Sequence, residues 1–162
     1  MAESAGLRFR YVVEHHDLDG NLVWRREFEN LVTTAGKNLL GNVMFGATAK
    51  SAAWYLGLKG TGTAAAGDTM SSHAGWSEVT GYSETVRQTM TLASFSSGTA
   101  NNSGSPAVFT INASVTVAGV FAVDNSTKGG ATGTLYSAGD FSGGSVSLSS
   151  GAITVNAFAL SF

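Results

Sequence analysis

The stretch Leu7-Arg8-Phe9-Arg10-Tyr11-Val12-Val13 opens by alternating apolar and polar side chains. That period of two belongs to a half-buried strand. Twelve residues after its start stands Asp19-Gly20, a strong tight-turn signal. Asn21 to Phe28 then returns as a second strand, with Leu22, Trp24 and Phe28 on one face and Arg25 and Glu27 on the other. The pair reads as an N-terminal β-hairpin.

Strand signals dominate the rest of the chain. Ala53 to Leu58 is a short apolar run bounded by Gly60-Thr61-Gly62. Glu84 to Ala93 alternates, as Val86, Gln88, Met90 and Leu92 against Thr85, Arg87, Thr89 and Thr91. Val108 to Asn112, Val115 to Val123, Thr134 to Ser137, Ser145 to Ser149 and Ile153 to Phe162 follow. Turn-rich pieces separate them, at 60–67, 96–105, 124–133 and 139–144. Eight or nine short strands at this spacing predict an all-β, antiparallel β-sandwich, jelly-roll-like, as one domain over 1–162.

One segment changes period. Leu39, Leu40, Val43 and Met44 recur at helical spacing, predicting one short α-helix over about 34–45. Thr33 or Thr34 suits its N-terminal cap and Gly46 its end. Gly36 and Gly41 each weaken it by about 1 kcal/mol relative to alanine. Such a helix needs a sheet to pack on.

Composition narrows the function. The chain has 162 residues, of which 21 are Gly, one is Pro and none is Cys. Charged residues are only 12%, and the net charge is −2. No basic surplus exists to neutralise phosphates, so nucleic acid is not an expected partner. Without cysteine, disulfides and cysteine-ligated zinc are excluded. The longest clear apolar run, Val117 to Val123, is far short of a membrane-spanning helix. Met1-Ala2-Glu3-Ser4 carries an acid where a secretory signal carries base, so synthesis in the cytoplasm is expected. Half the charge lies in residues 1–30, a charged N-terminal arm and hairpin with four of the nine basic residues and six of the eleven acids. Residues 89–162 hold only Lys128, Asp124 and Asp140.

The residues that carry chemistry are sparse. His15 and His16 are neighbours on a strand and point to opposite faces, so they do not readily grip one metal. Asp17-Leu18-Asp19-Gly20-Asn21 departs from a calcium loop, with glycine fourth rather than sixth and Phe28 where an acid belongs. No Gly-x-Ser-x-Gly elbow and no phosphate-binding glycine loop occurs. Asp68, Glu78 and Glu84 are the carboxylates that could converge for glycoside cleavage, but so small a set carries little weight. Arg87 reads as one half of a structural ion pair with Glu78 or Glu84. Trp24 and Trp54 read as core. Trp76, in the loop-like segment Ser71 to Trp76, is the tryptophan best placed to touch a partner. No metal, cofactor or catalytic residue is expected, and the protein reads as an assembly component rather than an enzyme.

Several segments, in order, resemble tailed-bacteriophage virion proteins. They are the hairpin strand with Asp19-Gly20-Asn21 and Trp24, then Asn30-Leu31-Val32-Thr33 before the helix, and Trp54-Tyr55-Leu56-Gly57-Leu58. Asp68-Thr69-Met70-Ser71-Ser72-His73-Ala74-Gly75-Trp76, then Tyr82 with Arg87, continue the series. Gly119-Val120-Phe121-Ala122-Val123 and the turn from Ser126 to Tyr136 complete it. Val120 departs from the alanine common in the family. The likeness covers residues 17–142. It implies a structural virion protein similar to capsid decoration (cement) proteins, which bind the outside of the head shell. It further implies the major capsid protein as partner, a homo-oligomer or symmetric copies on the shell, and a final place on the virion surface. Arg8, Arg10, Arg25 and Arg26 are then candidates to meet acids of the shell, with Trp76 a further contact candidate. The rival reading is a tail- or fibre-associated module that binds a host receptor or carbohydrate. Against it, no heptad pattern or repetitive shaft is present.

Overall fold

A computed structural model of the protein describes residues 7–161, so residues 1–6 of the expected arm and Phe162 lie outside the described residues. In chain order, β1 (Leu7–His16) and β2 (Leu22–Glu29) form the hairpin, and β3 (Leu31–Val32) leads into α1 (Thr34–Phe45). Then come β4 (Tyr55–Lys59), β5 (Glu78–Val79), β6 (Gln88–Thr89), β7 (Thr99–Asn101) and β8 (Ala107–Thr110). β9 (Val115–Val117), β10 (Gly119–Val123), β11 (Leu135–Asp140), β12 (Val146–Leu148) and β13 (Ala152–Ser161) complete the series.

The strands form two main antiparallel sheets. The first has the order β2-β1-β13-β7, with β8 also paired to β13. The second has the order β3-β11-β10-β4-β5, with β6 also paired to β4. A separate ribbon joins β12 to β9. In the first sheet β1 and β13 stay in register over ten residues, from Leu7↔Ser161 to His16↔Ala152. The fold is the all-β antiparallel sandwich expected, with its N-terminal hairpin and its one short helix.

The alternation that identified β1 also builds the core. Phe9, Tyr11 and Val13 point inward with Phe28, Phe109, Ile153 and Val155 of the same sheet. Leu56, Leu58, Val120 and Ala122 meet them from the second sheet. The second sheet is buried on its other face as well, where Met70, Trp76, Phe121, Val123, Leu135 and Ala138 form a separate cluster. This is why β10 reads as an unbroken apolar run: all five of its residues are buried. Phe121 pairs with Gly57 across the strands, and a Cβ on Gly57 would come within 2.2 Å of the Phe121 ring. The glycine is the space in which that ring lies.

Two local expectations need correction. The helix does span Thr34–Phe45, with the Thr33 side chain accepting from the Gly36 amide. Its packing contact, however, is Gly36, whose Cβ would stand 2.3 Å from the Tyr136 carbonyl oxygen. Leu39, Leu40 and Val43 are only half-buried, and they join neither hydrophobic cluster. Backbone approach at the first turn, not an apolar stripe, seats this helix. The alternating run from Glu84 to Ala93 yields only the two-residue β6. The Arg87 amide bonds the Ser126 carbonyl and the Met90 amide bonds that of Trp54, so the run is shared between different partners.

Candidate functional site

The outer face of the first sheet gathers the hairpin charges. On β1, Arg8, Arg10 and Glu14 share one face, and register places Glu29, Glu27 and Arg25 of β2 alongside. Arg8 reaches Glu29 at 3.5 Å, Arg10 closes on Glu27, and Arg25 lies 3.5 Å from Glu14 and 3.3 Å from Glu27. Three arginines and three glutamates therefore cancel within one exposed ladder. Val12 is buried amid it, and the Arg10 guanidinium sits 4.8 Å over the Phe158 ring. Such exposed pairs contribute little to stability. Their effect is a polar and locally neutral surface.

Arg26 is separate from that ladder. It is on the opposite face of β2, with its guanidinium 5.6 Å over the Trp24 ring and one nitrogen 3.4 Å from the Arg25 carbonyl. Its Nε is buried without a partner. Of the four arginines, then, three lie together and the fourth covers the rim of the core.

Trp76 is not the exposed contact expected of it. It is only 6% exposed and packs against Phe121, with ring centroids 5.3 Å apart. Its Nε1 donates to Asp68 at 2.8 Å, and the His73 ring stacks over it at 4.2 Å. The segment Asp68 to Trp76 is thus a folded cover for the second sheet. Two residues of the motif are spent on holding Trp76: Asp68 takes the indole N–H and His73 takes the ring face.

Beside this cover lies a buried ion pair. Arg87 is wholly buried, and its Nε and Nη2 donate to the two Glu78 oxygens at 3.0 and 2.7 Å. Nη1 donates to the Asn125 carbonyl at 3.0 Å and Nη2 to that of Gly130 at 2.7 Å. Glu78 also accepts from the Gly129 amide at 2.9 Å. The pair therefore clamps the Asn125–Gly130 turn against β5. The Lys128 ammonium continues the clamp, donating to the Tyr82 and Glu84 carbonyls at 2.9 and 2.7 Å. Of the two carboxylates considered for Arg87, Glu78 is the partner, while Glu84 accepts from the Thr110 amide. An open, shallow groove of about 480 Å³ runs between the two features, lined by Ser71, His73, Glu78 and Gly129 among others.

Sequence reasoning passed over Lys59. It is wholly buried, donating to the Gly60 carbonyl at 3.2 Å, closely to that of Gly62, and to Asp140 Oδ1 at 2.5 Å. The available signal was a lysine ending an apolar run directly before Gly60-Thr61-Gly62, whose carbonyls receive it. Burial also acts on the phenols. It pushes the Tyr136 hydroxyl up to about 12 and drives those of Tyr11 and Tyr82 higher still. Among the described residues, no group of three His, Asp or Glu side chains is placed to hold a metal ion.

The cover, the clamp and the buried lysine are internal joints, whereas the neutral Arg–Glu ladder is exposed. No family model matches the chain, and no curated protein matches its sequence.

Proposed function

We propose that the protein is a structural virion component that binds the outside of a tailed-phage head as a decoration (cement) protein. One observation supports this reading. The segments that carry the resemblance are spent on architecture: Asp68 holds Trp76, Glu78 holds Arg87, and Lys128 holds the carbonyls of Tyr82 and Glu84. A signature made of joints suits a protein whose product is a shaped surface.

The outer face of the first sheet is the proposed shell contact. Its arginines are already paired with glutamates, so acids of the major capsid protein would exchange for Glu27 or Glu29 rather than meet free cations. An exchange of that kind sets orientation more than affinity. Stabilisation of the shell then comes from modest buried area repeated over many copies, on the virion surface, after synthesis in the host cytoplasm. The rival carbohydrate-binding reading needs an exposed aromatic platform, and Trp76, the tryptophan expected to be best placed to touch a partner, is stacked under His73.

Co-sedimentation with expanded empty heads lacking the protein is the test. Saturable binding at a fixed ratio to the major capsid protein, with a raised melting temperature of the shell, is expected. Arg10→Ala with Arg25→Ala should weaken binding while leaving the chain's own melting temperature nearly unchanged. Absence of binding by the wild-type chain overturns the reading, and a glycan screen then tests its rival.

A further inference from the structure

Two exposed apolar patches remain that neither sheet explains. The first is the hairpin tip, where Leu18 is 82% exposed and Leu22 and Val23 more than half. The second is the end of α1, where Phe45 is 89% and Met44 65% exposed. Side chains of this size standing free in clusters mark interaction surfaces.

The charges on the same two segments are of opposite sign. Most charged side chains of the described residues are engaged, in the ladder, the clamp, the buried lysine or a turn. Among the described residues, the Asp19, Lys37 and Lys50 side chains make no hydrogen bond or ion pair. Asp19 stands in the hairpin tip, next to Leu18. Lys37 is on α1 and Lys50 follows it, and residues 33–53 contain no acid. The first segment is apolar and acidic at its tip, and the second carries bases and no acid.

The segments that carry them are anchored at opposite ends of β11. The tip end of the hairpin packs beside Phe141, just past the C-terminal end of β11, with Trp24 and Phe141 rings 5.7 Å apart. The helix enters at the other end of β11, where Thr33 donates to the Leu135 carbonyl at 2.5 Å, and the chain beyond the helix returns to that end, where the Ser51 hydroxyl donates to Asp124 at 2.9 Å, next to the Val123–Leu135 pair. β11 has six residues, so roughly 20 Å of strand separates the two anchors.

We propose that the protein associates with itself head to tail, the Leu18–Asp19 tip of one copy seating on the Met44–Phe45 end of α1 of the next, a segment whose only charges, Lys37 and Lys50, are opposite in sign to Asp19. Such a contact is heterologous. It closes into a ring if the rotation per copy divides a full turn and otherwise stays open. The occupant is a second copy because the chain itself supplies both complementary surfaces. This inference does not rest on shell binding: a chain that ignores phage heads but assembles with itself sinks the decoration reading and leaves this one standing.

Sedimentation velocity of the full chain over a concentration series tests it. The wild-type chain should associate reversibly. Leu18→Lys and Phe45→Ser should each weaken association about tenfold or more, as loss of a central apolar anchor does. Both positions are exposed, so unchanged melting temperatures would confirm that the fold is intact. An equimolar mixture of the two variants should form 1:1 dimers and nothing larger, because each variant keeps one intact patch. A wild-type chain that stays monomeric at its highest soluble concentration overturns the proposal. So does association that survives both substitutions, or a mixture that forms no dimer. If the wild type is monomeric and either substitution abolishes binding to heads, the patches face the shell instead, and the proposal likewise fails.

Discussion

The Arg87 guanidinium meets the Glu78 carboxylate edge to edge, two nitrogens to two oxygens, with the arginine wholly buried and the glutamate side chain 6% exposed. Removing one member of such a pair strands a buried charge, which costs about 3–5 kcal/mol. Arg87→Met also leaves the Asn125 and Gly130 carbonyls without their donors. It should lower the urea midpoint strongly, and Glu78→Gln should act in the same direction. The double variant Arg87→Met with Glu78→Leu should be more stable than Arg87→Met alone. Equal losses in the single and double variants would contradict this account of the pair.

Glycines separate close approach from mere flexibility. A Cβ on Gly119 would stand 1.9 Å from the Gly139 carbonyl oxygen, between strands that are buried. Gly119→Ala should destabilise by at least the 1–3 kcal/mol or so typical of overpacking. Gly41, on the exposed side of α1, has nothing within 4 Å of a built Cβ. Gly41→Ala should stabilise by about 0.5–1 kcal/mol through helix propensity. Thermal unfolding of the two variants should therefore move in opposite directions.

Burial raises the Tyr136 hydroxyl to about 12, above its ordinary value of 10.0. A raised value means the folded chain keeps this proton longer than the unfolded chain does. Its contribution to stability is complete below pH 10 and is lost as pH rises toward 12. Tyr11 and Tyr82 act in the same direction. Phenolate absorbance in an alkaline titration should therefore rise cooperatively with loss of tertiary structure. Smooth ionisation of every tyrosine in a folded chain would contradict the burial.

The Asp17 carboxylate accepts from the Asn21 amide at 2.8 Å and its side-chain nitrogen at 3.2 Å, and from the Asp19 amide at 3.0 Å. These bonds, those from Asn21 foremost, hold its carboxyl below the usual 3.8. A lowered value means the turn is supported above the ordinary carboxylate range and loses that support as pH falls through the folded value. Amide hydrogen exchange at the hairpin tip should quicken relative to the strands once pH falls below the usual 3.8, and not in milder acid. Asp17→Ala should give the same local loosening at neutral pH.

The hairpin was legible because each of its parts has a local cause: period two, an Asp-Gly turn and even spacing of Leu22, Trp24 and Phe28. The helix bounds were legible too, through Thr33. Its docking was not, since Gly36 reads as a weakness in the sequence and becomes the contact only when Tyr136 arrives from a hundred residues away. Trp76 was misread for the same reason. A tryptophan among Ser, His and Gly looks exposed until Asp68 and Phe121 are brought to it by the sheet. Arg87 was legible as a paired residue, because Glu78 and Glu84 stand near it in the sequence, but nothing local distinguishes one from the other.

The ten-residue pairing of β1 with β13 has a kinetic consequence. The hairpin can close while the chain is being made, but its inner strand has no second neighbour until residues 152–161 have been synthesised. Until then Tyr11, Val13 and Phe28 have only half of their cover, and an unpaired strand edge is open to other chains. Non-local closure of this kind is slow. The yield of native protein should thus be governed by how well the nascent chain is shielded during that wait, more than by the stability of the finished sandwich.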